Sequence, residues 1–444
     1  MANEIRGLLA QVSDRTELKA QLGAMNVVHI AEELEEMDKP EVVKVIRLLS
    51  KNKAAETFAC LDSDVQQGII EAIADSEIGS IIDELFLDDA VDFIEEMPAD
   101  VVNRVLANVT RERRNLINQF LKYPEDSAGS IMTIEYVELK SEMTVASAFA
   151  QILSTGYDKE TIYTCYITNA AKTLLGQVSA KDLLLSEQEK TVGEIMEQNV
   201  VFARTNDDKE ELMAIFRKYG FLAIPIVDSE DHLVGIVTYD DAFTIQEEEA
   251  TEDFEKMAAI TPFENDYLKT GVIQLSKNRI PWLMFLMIFG TLTDQLTKLF
   301  EDSLAIMPAL VAFIPMLMNT GGNAGTQSST LIIRGMALDE IQTSDIGKVL
   351  AKELFVSLQC GIVLVIASYV CVIIFGEGFM VAVTVSLAVL ATIVMSNITG
   401  TLLTFGARAL KMDPAIIAAP LLTNIVDCGA LVVYFVLAKA ILKV

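Results

Sequence analysis

A chain of 444 residues with 34 Lys and Arg against 63 Asp and Glu carries a formal charge of −29. That balance repels nucleic acid and gathers cations, so a nucleic-acid partner is excluded. After Gly271 the 10 acidic and 10 basic residues cancel, which leaves the whole charge on the first 270 residues.

Residues 1–127 read as an all-α domain of short helices, and the opening MANEIRGLLAQVSDRTELK lacks the apolar core of a signal peptide. In LFLDDAVDFIEEMPADVVNRVL the spacing turns Leu85, Val91 and Ile94 inward and Asp88, Asp89, Asp92, Glu95 and Glu96 outward. Asp88 and Asp92, four residues apart, stack two carboxylates on one face. The cysteines (Cys60, Cys165, Cys360, Cys371, Cys428) and His29 and His232 show no ligand spacing, so neither a disulfide framework nor a zinc site is expected.

Between 128 and 246 short strands alternate with helices, and the pattern repeats. AGSIMTIEYVEL parallels VGEIMEQNVVFA, and YTCYITNAAKTLLGQVSAKDLL parallels LAIPIVDSEDHLVGIVTYDDAF. Each copy closes on a polar turn, Gly176 to Asp182 and Gly235 to Asp241. This tandem α/β pair resembles CBS domains, which often bind adenine nucleotides. The resemblance maps a ribose contact for ATP onto Thr238 and Asp241, although a tight βα turn alone explains the same residues.

A helical linker is expected over 247–275, with Glu247, Glu248, Glu249, Glu252 and Asp253 in its first seven residues. Acids so clustered repel one another and become favourable when a divalent cation bridges them. From 276 onward the chain reads as a transmembrane domain with spans near 280–297, 304–333, 349–375, 379–405 and 415–442. A spanning helix needs roughly 20 apolar residues, and four of these five provide them outright. Lys277, Arg279, Arg334, Lys348, Lys352, Arg408 and Lys411 flank one side, against Lys298 and Lys443 on the other. The excess of basic residues puts the acidic front half in the cytosol and the C-terminus outside.

Two polar features inside the spans demand a reason. An ionised Asp at the bilayer centre costs about 2.5–3.5 kcal/mol, yet Asp427 lies mid-span with Thr423 and Asn424 on its helical face. The second span carries Asn319, Thr320, Asn323, Thr326, Gln327, Ser328 and Ser329 around Gly321, Gly322 and Gly325. Those glycines serve either close helix approach or an unwound turn. Together these features read as an aqueous path.

This order of parts closely resembles the MgtE family of magnesium channels, most specifically at NTGGNAGTQSSTLIIRG, KMDPAIIAAPLLTNIVD and EEEATED. The resemblance implies a multi-pass protein of the plasma (inner) membrane, a homodimer in the lipid bilayer, with Mg²⁺ as its ion. Asp427 would then select hydrated Mg²⁺, and Thr423, Asn424, Asn323 and Gln327 would line the pore. It further implies a regulatory set that bridges cytosolic Mg²⁺ to close the pore: Asp88, Asp92, Glu210, Asp241, Glu249, Glu252, Asp253 and Asp413. Gly220 departs from the pattern, standing where an acidic residue is expected.

Other readings are a membrane-anchored CBS sensor without transport, which predicts spans lacking a polar stripe, and a divalent-cation carrier. A proton-coupled exporter would want another titratable intramembrane group, for which Asp294 is the sole candidate. No nucleophile–base pair, P-loop or catalytic metal motif is present, so the chain is not expected to be an enzyme.

Overall fold

The computed structural model describes residues 4–443 apart from 13, 264–266, 269, 301–306, 339 and 418. It divides into two compact units, Met1–Gln246 and Glu247–Val444.

The first unit opens with ten short helices, from α1 (Glu4–Gln11) through α8 (Leu87–Glu96) to α10 (Arg111–Phe120). Local signals start many of them: Asp14, Asn26, Ser50 and Thr110 each accept a hydrogen bond from a first-turn amide, which satisfies donors the helix leaves open. Their apolar faces share a core around Ile30, Leu34, Phe58, Ile70 and Phe93, with Phe58 and Phe93 meeting edge to face at 5.1 Å.

The tandem repeat folds as two three-stranded sheets of identical topology. In one, β1 (Glu138–Leu139), β2 (Thr164–Thr168) and β3 (Leu174–Ser179) lie side by side; in the other, β4 (Ala203–Arg204), β5 (Ala223–Val227) and β6 (Leu233–Thr238) do. In each the first pair is parallel and the second antiparallel, with a register shift at the same place, Ile167/Thr168 and Ile226/Val227. Helices α11 (Val145–Thr155), α12 (Ala180–Leu185), α13 (Val192–Ile195) and α14 (Lys209–Tyr219) complete the pair.

The copies are interlocked. Thr133, in the opening segment of the first copy, bridges Ile236 of the second, and Glu197, in the opening segment of the second, bridges Gln177 of the first. This crossing explains the glycine of each closing turn. A Cβ on Gly235 would sit 2.7 Å from the Thr133 carbonyl oxygen, and one on Gly176 would sit 2.8 Å from that of Glu197.

Helix α15 (Tyr239–Met257) carries the acidic run, and the boundary between the units falls within it. The helical linker expected over 247–275 is therefore not one helix. Ala259 turns left-handed at φ 55°, Ile260 N–H closes back on the Glu255 carbonyl, and Pro262 follows. Helix begins again with α16 (Val272–Leu299).

In the second unit α16 is followed by α17 (Ala309–Ala337), α18 (Ile346–Ile374), α19 (Phe379–Ala409) and α20 (Ala419–Leu442). Four helical stretches are long and apolar enough to cross a membrane: Val272–Leu299, Thr343–Ile374, Phe379–Ala409 and Pro420–Leu442. Helix α17 has the length, 29 residues, but its polar middle keeps it outside that group. The part of the second expected span before 307 lies outside the described residues.

The polar middle of α17 stays helical, so its glycines serve close approach and form no unwound turn. A Cβ on Gly321 would meet Thr392 of α19 at 2.6 Å, and one on Gly322 would meet Thr423 of α20 at 2.9 Å. A Cβ on Gly400 of α19 would lie 2.8 Å from the Gly325 carbonyl oxygen. Backbones this close leave no room for side chains between them. Gly400→Val is expected to lower the thermal unfolding midpoint of the detergent-solubilised protein by an overpacking cost of about 1–3 kcal/mol; an unchanged midpoint would show that α17 and α19 do not meet there.

Candidate functional site

The first turn of α8 is where acid gathers in the first unit. The spacing argument turned Asp88 and Asp89 outward, but both are half-buried, and only Asp92 of the three is exposed. The Asp89 amide donates to Asp88 Oδ1 at 3.0 Å. Asp241, in the first turn of α15, acts on both aspartates, as does Glu160. Burial pushes the Asp88 carboxyl well above the ordinary range, with Asp89, Asp241 and Glu160 adding to it. Burial and then the charges of Asp241, Asp92 and Glu135 push Asp89 up to about 7, and Glu160 rises to about 7 through burial, Asp241 and Asp240. Asp241 is also raised, again mainly by burial.

One cation answers this charge in part. Arg113 of α10, itself buried, reaches Glu135 at 3.4 Å and donates to the Leu85 and Phe86 carbonyls just before α8. The Thr238 hydroxyl is committed to Asp241 Oδ2, so the second closing turn holds a carboxylate among carboxylates. Glu210 is exposed in the first turn of α14. Gly220 has a conformational reason: it ends α14 at φ 66°, in the left-handed region, and donates to the Phe216 carbonyl.

A second acidic group lies within the second unit. Asp253 of α15 is pushed up by burial and then by Asp413, with Glu249 and Glu252 adding to it and Lys256 opposing. The Lys256 ammonium bridges Glu252 at 2.7 Å and Asp413 at 2.9 Å. These two partners push its pKa up in spite of burial. The structure thus brings Glu249, Glu252, Asp253 and Asp413 together around a lysine that has no part in the sequence-based set. Its only signal was the i, i+4 spacing from Glu252.

In α20, Asp427 Oδ1 is buried and has no hydrogen-bond partner among the described residues. Thr423 faces Gly322 of α17, and Asn424 lies toward Gly290 of α16 with its amide on the Pro420 carbonyl at 3.1 Å. On α17, Asn323 and Gln327 are exposed on one face with Asn319, whose Oδ1 accepts from Asn323 at 3.2 Å. Among the described residues no three His, Cys, Asp or Glu side chains are set to close around a metal ion.

Comparison with known proteins decides what kind of molecule this is. The family described as MgtE, a divalent cation transporter, matches residues 314–437; the MgtE intracellular N domain matches 25–126, and a CBS domain matches 192–248. The magnesium transporter MgtE of Thermus thermophilus is 33% identical over 403 residues, covering 90% of this chain and 89% of that protein. The chain belongs to the MgtE family. The magnesium transporter MgtE of Bacillus subtilis is 29% identical, over 91% of this chain and 89% of that one. The solved cytosolic domain of the Mg²⁺ channel MgtE in complex with ATP is similar with a TM-score of 0.51 at 31% identity, covering 55% of this chain and 100% of that one. MgtE is a transporter family, so this is a multi-pass membrane protein.

The raised carboxyls have a consequence for stability. Folded, Asp89 and Glu160 hold a proton up to about pH 7, whereas their ordinary values are 3.8 and 4.5. Between pH 8 and 6 the folded state takes up protons that the unfolded chain does not. Stability therefore rises as pH falls through this window, by about 2 kcal/mol for the pair. Urea midpoints at pH 8 and 6, for wild type and Asp89→Asn, check this: the wild type should gain and the variant should gain less. A wild-type midpoint that is flat or falls toward pH 6 would contradict it.

Proposed function

We propose that the chain is a Mg²⁺-selective channel mediating magnesium uptake across the plasma (inner) membrane as a homodimer. It has five spans, cytosolic N-terminal domains and an external C-terminus. The observation that carries this reading is the Asp427 carboxylate oxygen, buried without a partner among the described residues, in a chain of the MgtE family. Mg²⁺ sheds water reluctantly and binds oxygen in octahedral geometry at about 2.0–2.1 Å. A pore offering one aspartate per protomer to a hydrated ion avoids that dehydration. Thr423, Asn424, Asn323 and Gln327 line the approach. Membrane voltage contributes about 2.3 kcal/mol per charge per 100 mV, and twice that for a divalent ion.

Closure follows from the acidic groups. In this reading cytosolic Mg²⁺ lowers the repulsion among Asp88, Asp92 and Asp241, and among Glu249, Glu252, Asp253 and Asp413, with Glu210 a further member. Mg²⁺ binds the closed arrangement more tightly and so shifts the population toward it. The extents kept here are 1–127 for the N domain, 128–246 for the CBS pair, 247–275 for the connecting segment and 276–444 for the transmembrane domain. A nucleotide at the CBS pair is a second reading, supported by the ATP-bound relative. At Thr238 and Asp241 the metal reading is favoured, because the neighbouring carboxylates would repel phosphate.

Mg²⁺ flux into liposomes bearing the purified protein tests the pore: Asp427→Ala should lose at least tenfold of the flux, and equal flux in both would send the ion elsewhere. Lys256→Gln tests the closure. It removes the resident cation from the second acidic group, so half-closure should move to a several-fold lower Mg²⁺ concentration; a shift to higher Mg²⁺ would show that Lys256 supports closure.

A further inference from the structure

Asp294 is not the only other titratable group in the membrane unit besides Asp427: Glu353 is a further carboxylate. Glu353 lies eight residues into α18, directly after Lys352 and at the start of the helix's long apolar run. It sits on the face of α18 that continues through Ser357, Gly361 and Ser368, all buried. Asn397 of α19 donates its amide to Glu353 Oε2 at 3.3 Å. Asn397 is only 6% exposed, and its Oδ1 has no hydrogen-bond partner among the described residues.

The surroundings are polar on more than one side. Thr401, one turn along α19 and fully buried, donates to the Asn397 carbonyl. On α17, Ser328 is buried and its hydroxyl has no partner among the described residues. It lies one turn beyond Gly325, which is in contact with Ser396 and Gly400 of α19. One further turn along, the same three helices close on an apolar plug of Ile332, Met336 and Phe405, with Val349 packed against it. The polar Glu353–Asn397 pair thus lies about a turn from this apolar cluster.

We propose that Glu353 and Asn397 form a second intramembrane cation site, inside one protomer and separate from the Asp427 face. It takes a hard, oxygen-coordinated cation, held by the Glu353 carboxylate and by Asn397 Oδ1 once the amide turns over. Amide oxygen and nitrogen exchange places by a half-turn of the side chain. That turn would present two oxygens to a cation where the structure shows a single weak hydrogen bond. A buried acceptor without a donor gains from such an ion, since little water competes for it. The site rests on α18 and α19 being membrane helices, and does not depend on how Asp427 selects its ion.

The test is Mn²⁺ binding to the full chain in detergent, counted by electron paramagnetic resonance for wild type, Glu353→Gln, Asn397→Leu and the double variant. Each single variant should bind one Mn²⁺ fewer per chain, and the double should lose no more than either. Asp427→Asn should lose a different ion, additive with the first. Equal Mn²⁺ binding by wild type and Glu353→Gln overturns the proposal and leaves a purely structural hydrogen bond. Should the variants fail to assemble, Asn397→Asp decides: a second carboxylate there should raise Mn²⁺ affinity about tenfold, and no gain overturns the site.

Discussion

Carboxylates brought together out of water need a cation, and the soluble part of this molecule is organised by that need. Two unit charges 4 Å apart repel with about 4 kcal/mol at the effective dielectric of a protein surface. The first unit nevertheless gathers Asp88, Asp89, Glu160 and Asp241, with Arg113 as a partial answer. The cost is met by protonation of these carboxyls, by one guanidinium, and by the packing of the helical domain against the interlocked repeat. A divalent ion would meet it better. The same logic recurs around Asp253 and Asp413, where Lys256 occupies the middle.

The membrane unit obeys a different constraint. Hydrocarbon offers no partners, so polar groups must be matched within the bundle or reserved for an ion. Glycine makes the matching possible: at Gly325 and Gly400 the backbones of α17 and α19 touch, and Ser396 spends its hydroxyl on the Gly321 carbonyl. Tyr434 does likewise, donating to the Leu310 carbonyl at 3.0 Å. Against that thrift, the oxygens of Asp427, Asn397, Ser328 and Thr392 stand out as buried and without hydrogen-bond partners among the described residues.

Much of this was legible in the sequence because it rests on local rules. The doubled strand–turn–helix pattern, the acidic run of α15 and the polar middle of α17 are all periodic or contiguous. The glycines of the two closing turns were visible as a motif, but their reason was not, since the strand that crosses each comes from the other copy. Asp88 and Asp89 were turned outward because helical periodicity assumes one buried face, and α8 buries its first turn against a distant segment as well. Glu160 had no local signal, and its partners lie some 70 residues before and 80 after it. The end of α15 at Met257 has little local signal, because the left-handed residue that follows it is an alanine where glycine is the usual mark. Glu353 was visible within its span, yet it looked unremarkable until Asn397 came into reach.

The central claim is that cytosolic Mg²⁺ closes the pore through these acidic groups. Patch-clamp current from excised membranes tests it directly, with Mg²⁺ on the cytosolic face stepped from none to millimolar. The account predicts a Mg²⁺-carried current that is open without cytosolic Mg²⁺ and shuts as it rises. A current indifferent to cytosolic Mg²⁺, or no current from protein shown to be inserted, would contradict it.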